Sequence, residues 1–600
     1  MKTLLIAVNS KFIHSSLSVW YLKSVCGQAL GEVKVLEYTI NDKQDSVLAS
    51  IYNEKADIAA FSCYIWNIEY VCDIIVNLKA LLPEIKIVLG GPEVSYNSYS
   101  LMEKIAAIDY IITGEGENAF RLLLKHIRKS LITQGENNKI EGADELNTKD
   151  CNILNDIPGL FFRVDNQIFN NNCFNLVQNL DSIPSPYTDE MLSNLGSNRI
   201  IYFESSRGCP FSCSYCISST FDGVRYFSLD RTKKDILRLL DAKVKQIKFV
   251  DRTFNCNRER AGELLTFIIE KARDTNFHFE VAGDLFDDKI MNILNKAPKG
   301  LIQLEIGIQT VNLRTLELIE RKTDLAKLFN NINKLISLGT MHIHVDLIAG
   351  LPEEDYKSFQ ESFNKVYALK PHQLQLGFLK LLKGSKMRRE ADMYSYLYKQ
   401  KAPYEIFCNK FISYDEIIKL KDIEEIVERY FNSGKFQKSL DYSMKVLNMS
   451  PFVFFSALSY YWKENGLYAR SISSRELYSI LYTFLREYSM VNIIKAEEIL
   501  KFDFLSSDST NNLPEGISHN KEVIRNEDVF EFLRLESNIQ FYLPHFKGIP
   551  SKQILKKIHV EIFNFDVTDN ELPSGKTTVL FDYSSRDKVS GLYSYQRIPL

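Results

Sequence analysis

From Met1 to about residue 132, short apolar runs alternate with segments of helical period. The runs are KTLLIAVN at 2–9, VKVLEYTI at 33–40, DIAAFSCY at 57–64, IKIVLGG at 85–91 and DYIITGEGE at 109–117, with helical patterns over 17–29 and 69–82. Strands alternating with helices imply a parallel sheet covered on both faces, so residues 1–132 read as a doubly wound, Rossmann-like α/β domain. A polar stretch at 133–156 reads as a linker, and 157–187 as a small strand-rich connector ending in the turn Ile183-Pro-Ser-Pro-Tyr187. A second alternation occupies 198–390, with strand-like runs IIYFESS, QIKFVD, FHFEVAG, LIQLEIGIQ, HIHVDLIAG and HQLQLGFL. Six such units suit a partial β/α barrel. Residues 391–600 are mainly helical and rich in Tyr and Phe, with a polar break at 506–521 and late strand-like runs KKIHVEIFNF and TTVLFDY. The apolar stretch Pro451–Trp462 reads as a buried helix, and Tyr460, Tyr461, Trp462 and Tyr468 as packing aromatics.

Composition narrows the function classes. Six hundred residues exceed one core and suggest three or four domains. A net charge of −3 provides no basic field, so nucleic acid is not an expected partner. No apolar run reaches the ~18 residues of a membrane span. The N-terminus turns polar after one short apolar run, so the expected compartment is the cytoplasm, where thiols stay reduced.

The chemistry concentrates in Cys209-Pro-Phe-Ser-Cys213-Ser-Tyr-Cys216, directly after the strand-like run 199–204. Three thiolates on a tight loop suit three corners of an iron–sulfur cluster. The next cysteine on the C-terminal side is Cys256, so one iron would keep an open position. A structural zinc site normally shows four Cys/His ligands in paired knuckles, and no second knuckle follows. Ten cysteines in 600 residues do not make a disulfide framework either. This C-x3-C-x2-C loop, with Tyr215 before the last cysteine, resembles the signature of radical S-adenosylmethionine enzymes, in which the open iron is chelated by the amino and carboxylate groups of S-adenosylmethionine.

Polar residues recur where side chains at the C-terminal ends of barrel strands converge: Asp251, Glu280, Gln309 and Asp346. The resemblance implies that Asp251 and Glu280 lie by the methionine amino group and that Gln309 and Asp346 bind the ribose hydroxyls. It also implies that Arg321 pairs with the methionine carboxylate and that Tyr215 lies by the adenine. The family's usual Gly-Gly-Glu is replaced here by Val250-Asp251-Arg252.

In the N-terminal domain, polar and glycine-containing segments follow the strands, where doubly wound sheets bind ligands. They include Ser10, Ser62, Tyr64, Gly90, Gly91, Glu93, Gly114 and Gly116. With VLGGPEVS and DYIITGEGE, this domain is similar to the cobalamin-binding domain preceding the barrel in one radical S-adenosylmethionine subgroup. The Asp-x-His-x-x-Gly motif that supplies an axial imidazole in many cobalamin proteins is absent. His14 lacks that context and reads as structural or as a loop contact.

The resemblance covers residues 1 to about 390. It implies a 4Fe–4S cluster, S-adenosylmethionine and cobalamin without a histidine ligand. The implied reaction is reductive cleavage of S-adenosylmethionine to a 5′-deoxyadenosyl radical, hydrogen abstraction from an unactivated carbon, and methyl transfer or another carbon–carbon or ring-forming step. A flavodoxin- or ferredoxin-type electron donor and a small-molecule or peptide substrate follow from it. The open alternatives are a cobalamin-independent radical enzyme and a non-catalytic iron–sulfur or cobalamin-binding protein.

Overall fold

The structure is a computed structural model. It describes residues 1–136, 153–171, 174, 176–194, 199–220, 223–510, 512–520, 524–569 and 571–600; the linker expected at 133–156 lies largely outside them.

The first sheet has seven strands: β1 (Lys2–Asn9), β2 (Glu32–Thr39), β3 (Ile58–Ser62), β4 (Lys86–Gly90), β5 (Tyr110–Ile112), β6 (Leu160–Val164) and β7 (Gln167–Asn170), in the order β2-β1-β3-β4-β5-β6-β7. β1 to β5 pair in parallel, and β6 and β7 add on antiparallel. The apolar runs are the reason for the two-sided cover: every residue of β3 is buried, as is all of β1 after Lys2. Strand order reverses between β1 and β3, the switch point where such sheets open a crevice. Asn67 closes that point. Its buried amide donates to Val8 O (3.0 Å) and Ser62 O (2.9 Å), and its Oδ1 accepts from Tyr64 N, joining the ends of β1 and β3. The connector strands read at 157–187 are thus edge strands of the first sheet. Tyr110 pairs with Phe162, and Arg163 donates to the Met102 and Ile108 carbonyls.

Next come β8 (Ile200–Phe203), the short antiparallel pair β9 (Ser206–Gly208) and β10 (Val224–Tyr226), then β11 (Gln246–Phe249), β12 (Asn276–Val281), β13 (Ile302–Gln309), β14 (His342–Ala349) and β15 (Gln373–Phe378). Strands β8 and β11–β15 form one parallel six-stranded sheet in sequential order, β15-β14-β13-β12-β11-β8. Alternation is clearest in β13, IQLEIGIQ, where each apolar residue is buried and each polar or glycine position is half-buried. Side chains of one parity therefore pack under the helices, while Glu305 and Gln309 share the other face. The helices start on side-chain caps: Ser228 accepts from Arg231 N, Asn257 from Arg260 N and Asp355 from Ser358 N.

The chain divides into two compact units, 1–303 with 316–324 and 378–410, and 304–315 with 325–377 and 411–600. In the second unit, helices Tyr414–Ile426, Gln437–Leu447, Pro451–Glu464, Ser474–Arg486 and Ile493–Ser507 bury Tyr430, Trp462 and Tyr478. The expected buried helix at 451–462 is present, with Phe452, Phe454, Phe455, Leu458 and Trp462 inside. Trp462 and Tyr468 pack as expected (centroids 5.5 Å apart), whereas Tyr460 is 65% exposed. The first unit also holds a short antiparallel pair, β16 (Leu397–Tyr398) and β17 (Ile406–Cys408), and the second ends in an antiparallel sheet of β18 (Ile558–Phe565), β19 (Ser574–Arg586) and β20 (Tyr593–Ile598). Among the described residues, no helix is long and apolar enough to cross a membrane.

Candidate functional site

The cysteine loop leaves β9 at Gly208, whose φ of +100° is open to glycine; a Cβ there would sit 2.2 Å from Gly223 O. Backbone bonds fix the loop. Cys216 N donates to Cys213 O (3.0 Å), Ser214 N to Ile319 O (2.9 Å) and Met387 N to Ser214 O (2.8 Å), and Ser219 Oγ bonds the carbonyls of Cys213 and Cys216. All three thiols are free; Cys213 is buried and the other two are half-buried. Donors already face the sulfurs: Ser218 N to Cys216 Sγ (3.4 Å), Thr253 Oγ1 at 3.7 Å from Cys209 Sγ and Arg321 Nη1 at 3.9 Å from Cys213 Sγ. Burial pushes the Cys213 thiol up, and the Arg321 guanidinium opposes that. Arg321 also donates to Tyr215 Oη (3.4 Å), so this cation, thiol and phenol form one cluster of groups. Cys256 stands apart, bonded to the Tyr226 hydroxyl at 3.2 Å.

Asp251 is buried and spoken for. Its carboxylate accepts from Ser205 N (2.7 Å), Ser205 Oγ (2.6 Å) and Ser206 Oγ (2.6 Å), which ties the end of β11 to the segment entering the cysteine loop. These three bonds make it an internal anchor and leave one of the roughly four acceptor sites of the carboxylate. Glu280, half-buried on β12, lines a cavity of about 740 Å³.

That cavity lies wholly within the first unit. Of the residues expected at the rim of the first sheet, Ser10, Ser62, Tyr64, Gly90, Gly91, Gly114 and Gly116 line it. Glu93 does not: it is buried, and its carboxylate is held by Lys383 and by the Tyr404 hydroxyl. Ser62 Oγ is buried without a hydrogen-bond partner among the described residues, and Tyr64 stacks flat on Trp66 (centroids 4.5 Å, 4° between planes). A planar aromatic pair and an unused hydroxyl beside paired glycines fit a large flat ligand with a polar rim. Gly91 has a more local reason to be glycine. At φ +111° its Cβ would lie 2.6 Å from Cys63 O, so the β4 loop seats directly on the β3 loop. His14 lines the cavity too, with Nδ1 bonded to the Tyr202 hydroxyl (2.8 Å); burial lowers its pKa.

The other wall includes Gly208, Ile217 and Ser218, which flank the cysteines, with Lys248 and Arg252 beside Glu280. An ionic network missed in the sequence joins the two walls. Arg207 bonds Glu204 (3.1 Å) and Glu117 (2.6 Å), and Arg225 bonds Glu115 (2.5 Å). Burial and the neighbouring Glu117 charge push the Glu204 carboxyl up to about 7. Its only sequence signal was charge at strand ends, which does not say who pairs with whom.

In the second unit, Gln309 ends β13 in the left-handed region (φ +70°), and its side-chain oxygen is buried without a partner among the described residues. Asp346 on β14 lies 3.0 Å from His344 Nε2, and Glu305 completes a group whose ligand atoms fall within 4.8 Å. His344 and Glu305 were not singled out in the sequence. The signal was there, because 344 and 346, like 305 and 309, share a face by the strand period of two. The next loop is fastened by Thr310 and Ser362, which both donate to buried Glu354.

Comparison with known proteins gives three domain matches: "B12 binding domain" over residues 3–124, "Radical SAM superfamily" over 203–366 and "Protein of unknown function (DUF4080)" over 392–581. An uncharacterized methyltransferase of Pyrococcus horikoshii is 24% identical over 54% of this chain and 67% of its own length. The cobalamin-dependent radical SAM methyltransferase TokK of Streptomyces tokunonensis is 24% identical over 53% of this chain, which covers 46% of that protein. Among solved structures, the cobalamin-dependent S-adenosylmethionine radical enzyme OxsB, with aqua-cobalamin and S-adenosylmethionine bound, superimposes with a TM-score of 0.55. It does so at 14% identity, over 91% of this chain and 84% of its own, a likeness of fold. The chain belongs to the radical S-adenosylmethionine proteins that carry a cobalamin-binding domain ahead of the radical domain, and it adds a C-terminal domain of the DUF4080 family.

Proposed function

We propose that this protein is a cobalamin-dependent radical S-adenosylmethionine enzyme acting on an unactivated carbon, by methyl transfer or another carbon–carbon or ring-forming step. The observation that carries this reading is the shared cavity, lined on one side by the rim of the first sheet and on the other by residues flanking the cysteine loop. Cys209, Cys213 and Cys216 would hold the cluster, and the sheet rim around Ser62, Tyr64 and Gly90 the corrinoid. Bound there, these groups supply one-electron reductive cleavage of the carbon–sulfur bond of S-adenosylmethionine and a transferable methyl group.

The chain's own residues position and select. Arg321 offers a fixed cation for a carboxylate, a charge-assisted bond stronger than a neutral one. Gln309 and Asp346 offer acceptors suited to a diol. Asp251 acts at one remove, holding Ser205 and Ser206 so that the cysteine loop keeps its entry angle. Burial of Cys213 limits water at the cysteine loop. A soluble one-electron donor of flavodoxin or ferredoxin type and a cytoplasmic setting accompany this reading.

Anaerobic reconstitution with iron, sulfide and hydroxocobalamin tests it. About four irons per chain are expected for a cubane cluster, together with bound corrinoid and 5′-deoxyadenosine on adding dithionite and S-adenosylmethionine. A chain that takes up the cluster but no corrinoid would instead favour the cobalamin-independent enzyme. Asp346→Ala is expected to weaken S-adenosylmethionine binding more than about tenfold, since a hydrogen bond to a charged group is worth roughly 1.5–3 kcal/mol. Equilibrium binding that is unchanged in this variant would remove Asp346 from the site.

A further inference from the structure

We propose that His519, His559 and Glu561, in the C-terminal domain, form a site for a single divalent metal ion of the zinc class. The inference is independent of the radical chemistry. His559 and Glu561 are two apart on β18, so the strand period sends both side chains to one face, and His519 reaches them from the preceding segment. One ligand atom from each residue falls within 4.8 Å of the others. The convergence is on a single atom: Glu561 Oε2 lies 2.8 Å from His519 Nδ1 and 3.1 Å from His559 Nε2.

The surroundings suit a cation. Glu561 Oε1 faces Lys501 at 3.3 Å, and Lys501 is itself balanced by Glu498 at 3.3 Å. Two carboxylates and one ammonium leave one negative charge for the ion, and neutral imidazoles add lone pairs without charge. Outer residues hold the imidazole plane. Tyr583 stacks on His559 (centroids 6.5 Å, 17° between planes), and its hydroxyl is buried without a partner among the described residues. His519 is 40% exposed at its side chain, which supplies an entry path. Two imidazoles and one carboxylate are a known donor set for zinc and other borderline divalent ions, and three protein ligands leave a position for water.

The experiment uses the full chain with its cluster reconstituted, so that Cys209, Cys213 and Cys216 cannot capture the probe. The protein is equilibrated with Zn2+ against a competing chelator, and zinc and iron are counted by elemental analysis. About one zinc per chain is expected, as for any three-residue mononuclear site. His519→Ala and His559→Gln should each weaken zinc binding more than about tenfold, because even changes behind a ligand cost 10–100-fold. Iron content and circular dichroism should stay as in the wild type. Glu561→Gln also strands Lys501 and risks misfolding, so the exposed His519→Ala decides. Equal zinc affinity in wild type and in folded His519→Ala, or no zinc uptake by the wild type, would overturn the site and leave a hydrogen-bonded His–Glu–His cluster.

Discussion

Replacing Cys209, Cys213 and Cys216 together by alanine is expected to abolish the iron and sulfide uptake of the reconstituted chain, and 5′-deoxyadenosine formation with it. The three thiols share one loop of eight residues, and the next cysteine along the chain, Cys256, is engaged by Tyr226. Cluster binding is cooperative in its ligands, because each thiolate holds a separate iron of one body. The loop's shape does not depend on the sulfurs. It rests on Gly208, on the bonds of Ser214 to Ile319 and Met387, and on Ser219. The variant should therefore stay folded by circular dichroism and still take up corrinoid, since the sheet rim is untouched. Full iron content in the folded triple variant would sink the assignment of the cluster.

The second large effect concerns two adjacent glycines. Gly91→Ala should lower corrinoid uptake about tenfold or more by displacing the rim, whereas Gly90→Ala should leave the backbone of the rim in place. At Gly91 the added Cβ meets Cys63 O at 2.6 Å, and φ is +111°; at Gly90 the nearest contact is Ile112 O at 3.7 Å, ordinary van der Waals distance. An alanine forced to positive φ destabilises by more than the 0.4–1 kcal/mol that such a change otherwise stabilises. Relief requires the β4 loop to lift off the β3 loop, which moves Ser62 and Tyr64 at the cavity wall. Iron content serves as the control, because the cysteine loop lies on another element. Corrinoid uptake by Gly91→Ala equal to that of the wild type, by visible absorption, would show that this seating does not shape the site.

Much of the site was legible because its chemistry is local. Three cysteines within eight residues carry their meaning wherever the loop sits. Runs such as IAAFS, buried throughout, and KIVLG, buried at its three central residues, state a two-sided sheet without reference to the rest of the chain. The rim residues followed from strand ends alone, and seven of the eight expected ones line the cavity. The family reading extended over both domains, and the B12-binding and radical SAM matches fall inside them.

What the sequence left open are pairings between distant positions. Glu93 looked like a rim ligand because it follows Gly-Gly-Pro after a strand, yet Lys383, far along the chain, neutralises it. Asp251 ends its strand where a cofactor contact is expected, and two serines before the cysteine loop bond both its oxygens, an anchoring role that its residue type does not announce. Strands β6 and β7 read as a connector, because nothing in their residues says which sheet edge they join. Arg207 and Arg225 could pair with any nearby acid until Glu115, Glu117 and Glu204 were brought beside them. The sequence by itself determined the thiol loop, the parallel sheets and the glycines, since each follows from spacing, period or backbone freedom within a few residues. Only the tertiary structure decided which buried charges are used up internally and which remain to meet a ligand. That depends on neighbours hundreds of residues away, and a buried charge must find a partner wherever the fold places one.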